Sequence, residues 1–160
     1  MKKRSVLVFC LISALASVAG AQPTQLFYVF SAEDAAQRLG ARHLDQWNED
    51  HGRPLRLIGL LQHQGDLAVM EQLRLQDGIS FQLMCATAAR QNPGLPPELS
   101  GHLDSPAGFV LLVDANGRAA ASGAGAQLNQ VLDQAALLLG GLAATEVDES
   151  TWGKVKEIFK

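Results

Sequence analysis

Two chemistries are open to the side chains of this sequence, exchange at a thiol and coordination of a soft metal. The chain has two cysteines, Cys10 and Cys85, and Cys10 falls inside an N-terminal stretch that reads as a targeting segment. Cys85 is then the only thiol of the mature chain, so no internal disulfide can form and any exchange would run through one sulfur. An unpaired cysteine serves more often as a small buried apolar group than as a nucleophile, because only the thiolate reacts. For a metal, the sequence offers His63, Met84, Cys85 and His102, soft donors suited to copper or zinc. Only Met84 and Cys85 are adjacent, and neighbouring side chains of a strand point to opposite faces, so no metal site is expected. Glu33 and Asp34 are paired acids in sequence alone, better explained as solvated groups that complement the positive end of a helix. Serine-nucleophile motifs, glycine-rich phosphate loops and metalloprotease helices are absent from the sequence, so hydrolase readings have no residues to rest on. No cofactor is expected.

The elements that must position these residues begin after the targeting segment. Lys2, Lys3 and Arg4 precede an apolar run from Val6 to Val18 that closes on the small residues Ala19-Gly20-Ala21. This is the pattern of a signal peptide, and the run is too short for a comfortable membrane span, which takes about 20 apolar residues. Lipid attachment at Cys10 is discounted, because that modification needs a cysteine after a small residue at the end of the run, whereas Cys10 follows Phe9 in the middle. The sequence therefore divides into a signal peptide over 1–21, a domain over 22–141 and a tail over 142–160, with a periplasmic or secreted destination. Without Lys2, Lys3 and Arg4, 10 of the 13 basic residues remain against 16 acidic ones. So acidic a chain is a poor partner for nucleic acid.

Within the domain, Gln25 to Phe30 is an apolar, aromatic run of strand length, and Ser31-Ala32-Glu33-Asp34 after it has capping-box spacing, which predicts a helix starting there. Ala36, Leu39, His43 and Trp47 share one face of that helix and are expected to pack, His43 included. Leu55 to Leu61 predicts a central parallel strand, and Leu67, Met70 and Leu73 a crossover helix with Met70 in the core. From Ile79 to Met84 the period changes to two, as an edge strand requires. Pro93, Pro96, Pro97, Gly94 and Gly101 break up the stretch from Ala86 to Ser105, which is expected to be an excursion with one helical turn. Phe109 to Val113 is a buried strand, Asp114 to Gly117 a hairpin turn into an antiparallel strand over 118–123, and Leu128 to Leu139 a packed helix.

That order of elements, with Ser105-Pro106-Ala107-Gly108-Phe109 leading to Val113-Asp114 and Asn116-Gly117-Arg118, resembles the thioredoxin-like superfamily. It is most similar to the TlpA-type thiol reductases and their peroxiredoxin relatives, over Gln25 to Leu139. The resemblance implies an α/β fold, with a central, mostly parallel sheet, a C-terminal antiparallel hairpin and helices on both faces. It also implies that Pro106 is a cis-proline facing the redox site. The family's C-x-x-C would fall within Ser31 to Ala36, and neither cysteine is there. Cys85 would lie two strands away, about 10 Å at a strand spacing of about 4.8 Å, and cannot simply replace the pair.

The reading that follows is an exported, non-catalytic binding or assembly module for a protein or peptide. Its expected surface is made by Ser31, Glu33, Asp34, Ser105 and Pro106. The alternatives are a single-cysteine thiol–disulfide enzyme acting through Cys85 and, on the family's precedent, a copper chaperone. Beyond Gly141, Val147 to Ser150 is acidic and turn-like, while Trp152, Val155, Ile158 and Phe159 recur three and four residues apart, with Lys154, Lys156 and Lys160 on the other side. That pattern predicts a short amphipathic helix that packs on its own domain, and any membrane contact would be through it.

Overall fold

The computed structural model describes residues 22–62 and 67–140. The expected signal peptide with Cys10, the metal candidate His63 and the tail with Trp152 to Phe159 lie outside the described residues. Among those described, no helix is long and apolar enough to cross a membrane.

Five strands form one mixed sheet in the order β3-β2-β1-β4-β5. They are β1 (Gln25–Phe30), β2 (Arg56–Leu61), β3 (Gln82–Cys85), β4 (Phe109–Val113) and β5 (Ala119–Ala124). β1 pairs in parallel with β2, and β2 with β3, while β4 runs antiparallel to both β1 and β5. The interior strands β1 and β4 are buried along nearly their whole length, which is why they appear in the sequence as unbroken apolar runs. β3 lies at the edge, and Ile79, Phe81 and Leu83 turn inward between the exposed Ser80 and Gln82.

Helices α1 (Ala35–Asp50), α2 (Leu67–Asp77) and α4 (128–140) cover one face of the sheet. Ala41 and Leu44 of α1, Leu73 of α2 and Val131, Leu132 and Ala135 of α4 pack there on Leu26, Tyr28, Phe30, Val110 and Leu112. The other face is closed by α3 (Ala86–Arg90) and the proline-rich excursion, through Ala86, Ala89, Leu99 and Leu103. Two short helical turns occur in that excursion where the sequence predicts one, α3 itself and a 3-10 turn at Pro97–Leu99.

Three expectations about helix faces and starts are corrected. α1 begins at Ala35 with Asp34 as its cap, three residues after the Ser31 start that the sequence predicts. Its buried face is Gln37, Ala41, Leu44 and Asn48, so His43 is exposed and Leu39 is 57% exposed instead of packed. On α2, Leu67 is exposed, while Met70 is half-buried against the core. The start moves because Asp34 reaches two backbone amides of the first turn, whereas Ser31 Oγ reaches only Glu33 N, at 3.2 Å.

Candidate functional site

The site lies where β1 ends, α1 begins and the chain enters β4. Asp34 stays extended (φ −86°, ψ 113°), and its Oδ1 accepts from Ala36 N at 2.8 Å and Gln37 N at 3.1 Å, satisfying two amides that a helix start leaves open. The cap fixes Gln37, which is 8% exposed, at the third helical position. Its Nε2 donates to Asp34 Oδ2 at 3.1 Å and, across 69 residues of sequence, to Pro106 O at 2.9 Å, while its Oε1 accepts from Ser31 N at 2.8 Å. One buried amide thus joins the end of β1, the cap of α1 and the proline turn.

A second buried glutamine acts on the same turn. Gln62 is 5% exposed; its backbone N donates to Phe30 O at 2.9 Å and its Nε2 donates to Ser105 O. Ser105 N donates to His102 O at 3.0 Å, Gly108 N to Ser105 O at 2.9 Å and Gly125 N to Ala107 O at 3.2 Å. The carbonyls of Ser105, Pro106 and Ala107 are therefore all taken by partners inside the protein. Gly108 closes the turn at φ 68°, and a Cβ there would come within 2.8 Å of Val29 O, so only glycine fits. The Ser105–Pro106 bond is trans, since no cis peptide occurs among the described residues, which corrects the cis-proline that the resemblance implies.

Beside this turn lies an open groove of about 490 Å³ between α1 and the start of α4. Ala36, Leu39, Gly40 and His43 form one wall, and Ala126, Leu128 and Asn129 the other. Asp34, Pro106 and Ala107 close the end, and Tyr28 forms the floor. The stripe Ala36, Leu39 and His43 therefore exists as the spacing predicts, but it faces this groove and not the sheet. Burial, and secondarily the charge of Asp34, pushes the Tyr28 hydroxyl up to about 12, so it stays protonated and donates to Gln37 O at 3.3 Å.

Of the residues singled out in the sequence, Asp34 and Pro106 come together on the groove. Glu33 lines a separate hollow with Arg38 and Asp77, Ser31 serves the chain entering α1, and Ser105 is held by Gln62. Cys85 is partly buried at the end of β3; its partner in β2 is Leu61, whose partner in β1 is Phe30, so two strand spacings separate it from the end of β1. Met84 packs against the core beneath the sheet, and the His102 ring stacks on Phe109 with centroids 3.8 Å apart. Among the described residues, no three His, Cys, Asp or Glu side chains gather as a metal would require. Gln37, Gln62 and Tyr28 were not legible as site residues. The one signal for Gln37 is Asp34-x-x-Gln37, itself a capping-box spacing.

No protein-family model matches the chain, and no curated protein matches it in sequence. Solved structures do match it. A secreted Mycobacterium tuberculosis disulfide oxidoreductase homologous to E. coli DsbE has a TM-score of 0.53 at 12% identity, covering 75% of this chain and 86% of that one. MTB dsbF has a TM-score of 0.56 at 10% identity, over 74% and 81% of the two chains. A thioredoxin-like protein from Parabacteroides distasonis has a TM-score of 0.51 at 12% identity, over 71% and 82%. The chain has the thioredoxin-like fold of these structures, on a sequence whose two cysteines, Cys10 and Cys85, form no C-x-x-C motif.

Proposed function

We propose that this protein is an exported, non-catalytic binding module of thioredoxin fold, which holds a protein or peptide partner at the groove beside Pro106. The observation that carries the reading is the Gln37 amide. It occupies the junction of α1 and the proline turn, where a redox relative would present its dithiol, and spends its hydrogen bonds on the protein itself. A two-electron exchange needs two thiols within reach, and Cys85 is the only cysteine among the described residues. With the carbonyls of Ser105, Pro106 and Ala107 already bonded, the groove offers a partner apolar walls in place of a backbone edge. Export rests on the signal-peptide pattern of residues 1–21 and is in keeping with a fold relative described as secreted.

Insulin reduction in dithiothreitol tests the catalytic half of this reading. The mature protein is expected to leave the rate at background. Turnover at the level of a C-x-x-C thioredoxin would contradict it.

A second reading has one observation behind it, the partial exposure of Cys85. In it the Cys85 thiolate attacks a disulfide of glutathione or of a partner, forms a mixed disulfide and releases the other sulfur as a thiolate. It requires a partner held through a reducible bond at the edge of β3, away from the groove.

A further inference from the structure

We infer that two copies of this protein associate through the outer face of α2, as an antiparallel helix pair about a two-fold axis at Glu71. The inference does not depend on what occupies the groove. α2 carries apolar residues on every side, which is the pattern of a helix covered all round. Leu73 is buried against the sheet with Val69 and Met70 packed beside it, so the inner side is accounted for. The outer side is not. Leu67, Glu71 and Leu75 follow one another at intervals of four and form one stripe. Both leucines face water, 83% and 82% exposed, the highest values of any large apolar residue among those described.

The stripe is complementary to itself. About a two-fold axis at Glu71, Leu67 of one copy meets Leu75 of the other and the reverse, so one symmetric contact covers all four leucines. Charge selects the same arrangement. Glu71 and Arg74 are both exposed, and neither belongs to an ion pair among the described residues, whereas Asp77 in the last turn is held by Arg38 and Arg42. In the antiparallel pair, Arg74 of each copy stands about 4.5 Å along the axis from Glu71 of the other, within reach of a charge-assisted bond. The two acids at the axis are then flanked by two guanidinium groups, and the contact carries no net charge. A strongly charged partner of either sign gains nothing from such a stripe, whereas a second copy pairs every charge on it. One helix face is small, so the dimer is a weak one that forms as concentration rises. It leaves the groove free, because Arg38 and Arg42 of α1 reach toward α2 while Leu39 and His43, on the other flank of α1, line the groove. A dimer therefore presents two open grooves, to which a partner with two matching segments binds more tightly than to one.

Sedimentation equilibrium of the mature chain between about 10 μM and about 1 mM tests this. The apparent mass is expected to rise from that of one chain toward that of two. Leu75→Asp and Glu71→Arg are each expected to weaken the association roughly tenfold or more, the first by setting a charge against the partner copy's leucine and the second by bringing four cations together. The double variant Glu71→Arg, Arg74→Glu restores opposite signs across the axis and is expected to dimerise as the wild type does. All three positions are exposed, so the melting temperature of the dilute protein should not change. A wild type that stays monomeric across the range, as it would if another part of the chain covered the leucines, would overturn the inference. So would a dimer that ignores Leu75→Asp, or a double variant that recovers none of what Glu71→Arg loses. The mass is read with no partner or substrate present, so this inference and the groove reading fail separately.

Discussion

Replacing Gln37 by alanine is expected to lower stability by about 2 to 4 kcal/mol and the melting temperature by roughly 10 °C, although the residue belongs to neither apolar cluster. The cost arises from what is left behind. Truncation strips Pro106 O and Ser31 N of the amide that pairs them at 2.9 and 2.8 Å, in a part-buried region, and each orphaned group costs up to about 1 to 3 kcal/mol. Gln37→Glu separates this clamp from simple packing, since it keeps the shape and replaces a donor with an oxygen. Ionised, the new carboxylate would face Asp34 Oδ2 and Pro106 O, both acceptors, so its folded pKa rises above the ordinary value of about 4.3. A raised pKa gives a contribution that is present below the unfolded value and is lost as pH climbs through the folded one. The variant should therefore approach wild-type stability near pH 4 and fall away from it toward pH 7. Thermal melts across that range check this, and a Gln37→Glu deficit independent of pH would mean that the amide is not the clamp.

Gly40→Ala is expected to destabilise by about 1 to 3 kcal/mol, against the roughly 1 kcal/mol that alanine normally gains inside a helix. A Cβ at Gly40 would lie 2.5 Å from the Tyr28 hydroxyl and 3.7 Å from a Leu128 methyl. The ring cannot step aside, because Tyr28 is 1% exposed and stacks on Phe30 with centroids 5.3 Å apart. Tyr28→Phe alone loses only the long bond to Gln37 O and should cost about 1 kcal/mol. Combined, the two changes relieve most of the clash, as the nearest remaining ring atom stands at 3.3 Å and needs to give only a few tenths of an ångström, so the double variant should be more stable than the sum of the single effects by about 1 kcal/mol. Strict additivity in denaturant titrations would show that the hydroxyl does not set the groove floor.

The parts of the fold legible in the sequence are those fixed by local pattern. β1 and β4 are uninterrupted apolar runs buried on both faces, and the alternation from Ile79 to Leu83 is that of an edge. Periodicity found the stripe Ala36, Leu39 and His43 but could not say what it faced, because an apolar face looks the same over a sheet and over an open groove. The face of α1 that does meet the core carries Gln37 and Asn48, two polar residues that a hydrophobicity pattern assigns to solvent. They are buried because their amides bond backbone: Gln37 to Pro106 O, and Asn48 to Leu55, with Nδ2 to O at 3.1 Å and Oδ1 from N at 3.0 Å. The Pro106 contact spans 69 residues, and no local rule contains it. The start of α1 differs from the sequence expectation for another reason: Ser31 and Asp34 are both good caps, and Asp34 is the one whose Oδ1 reaches two amides of the first turn while its Oδ2 holds Gln37.

The most direct measurement is comparative capture from the exported fraction, with wild type, Leu39→Asp and Cys85→Ala as baits, each eluted with and without reductant. Leu39 is exposed, so an acid there should leave the fold intact while placing a charge on the groove wall. Capture by wild type and Cys85→Ala alike, unaffected by reductant and lost or weakened at least tenfold with Leu39→Asp, is the expected result. Capture that survives Leu39→Asp but disappears with Cys85→Ala or on reduction would contradict a non-catalytic groove and place the function on the single thiol.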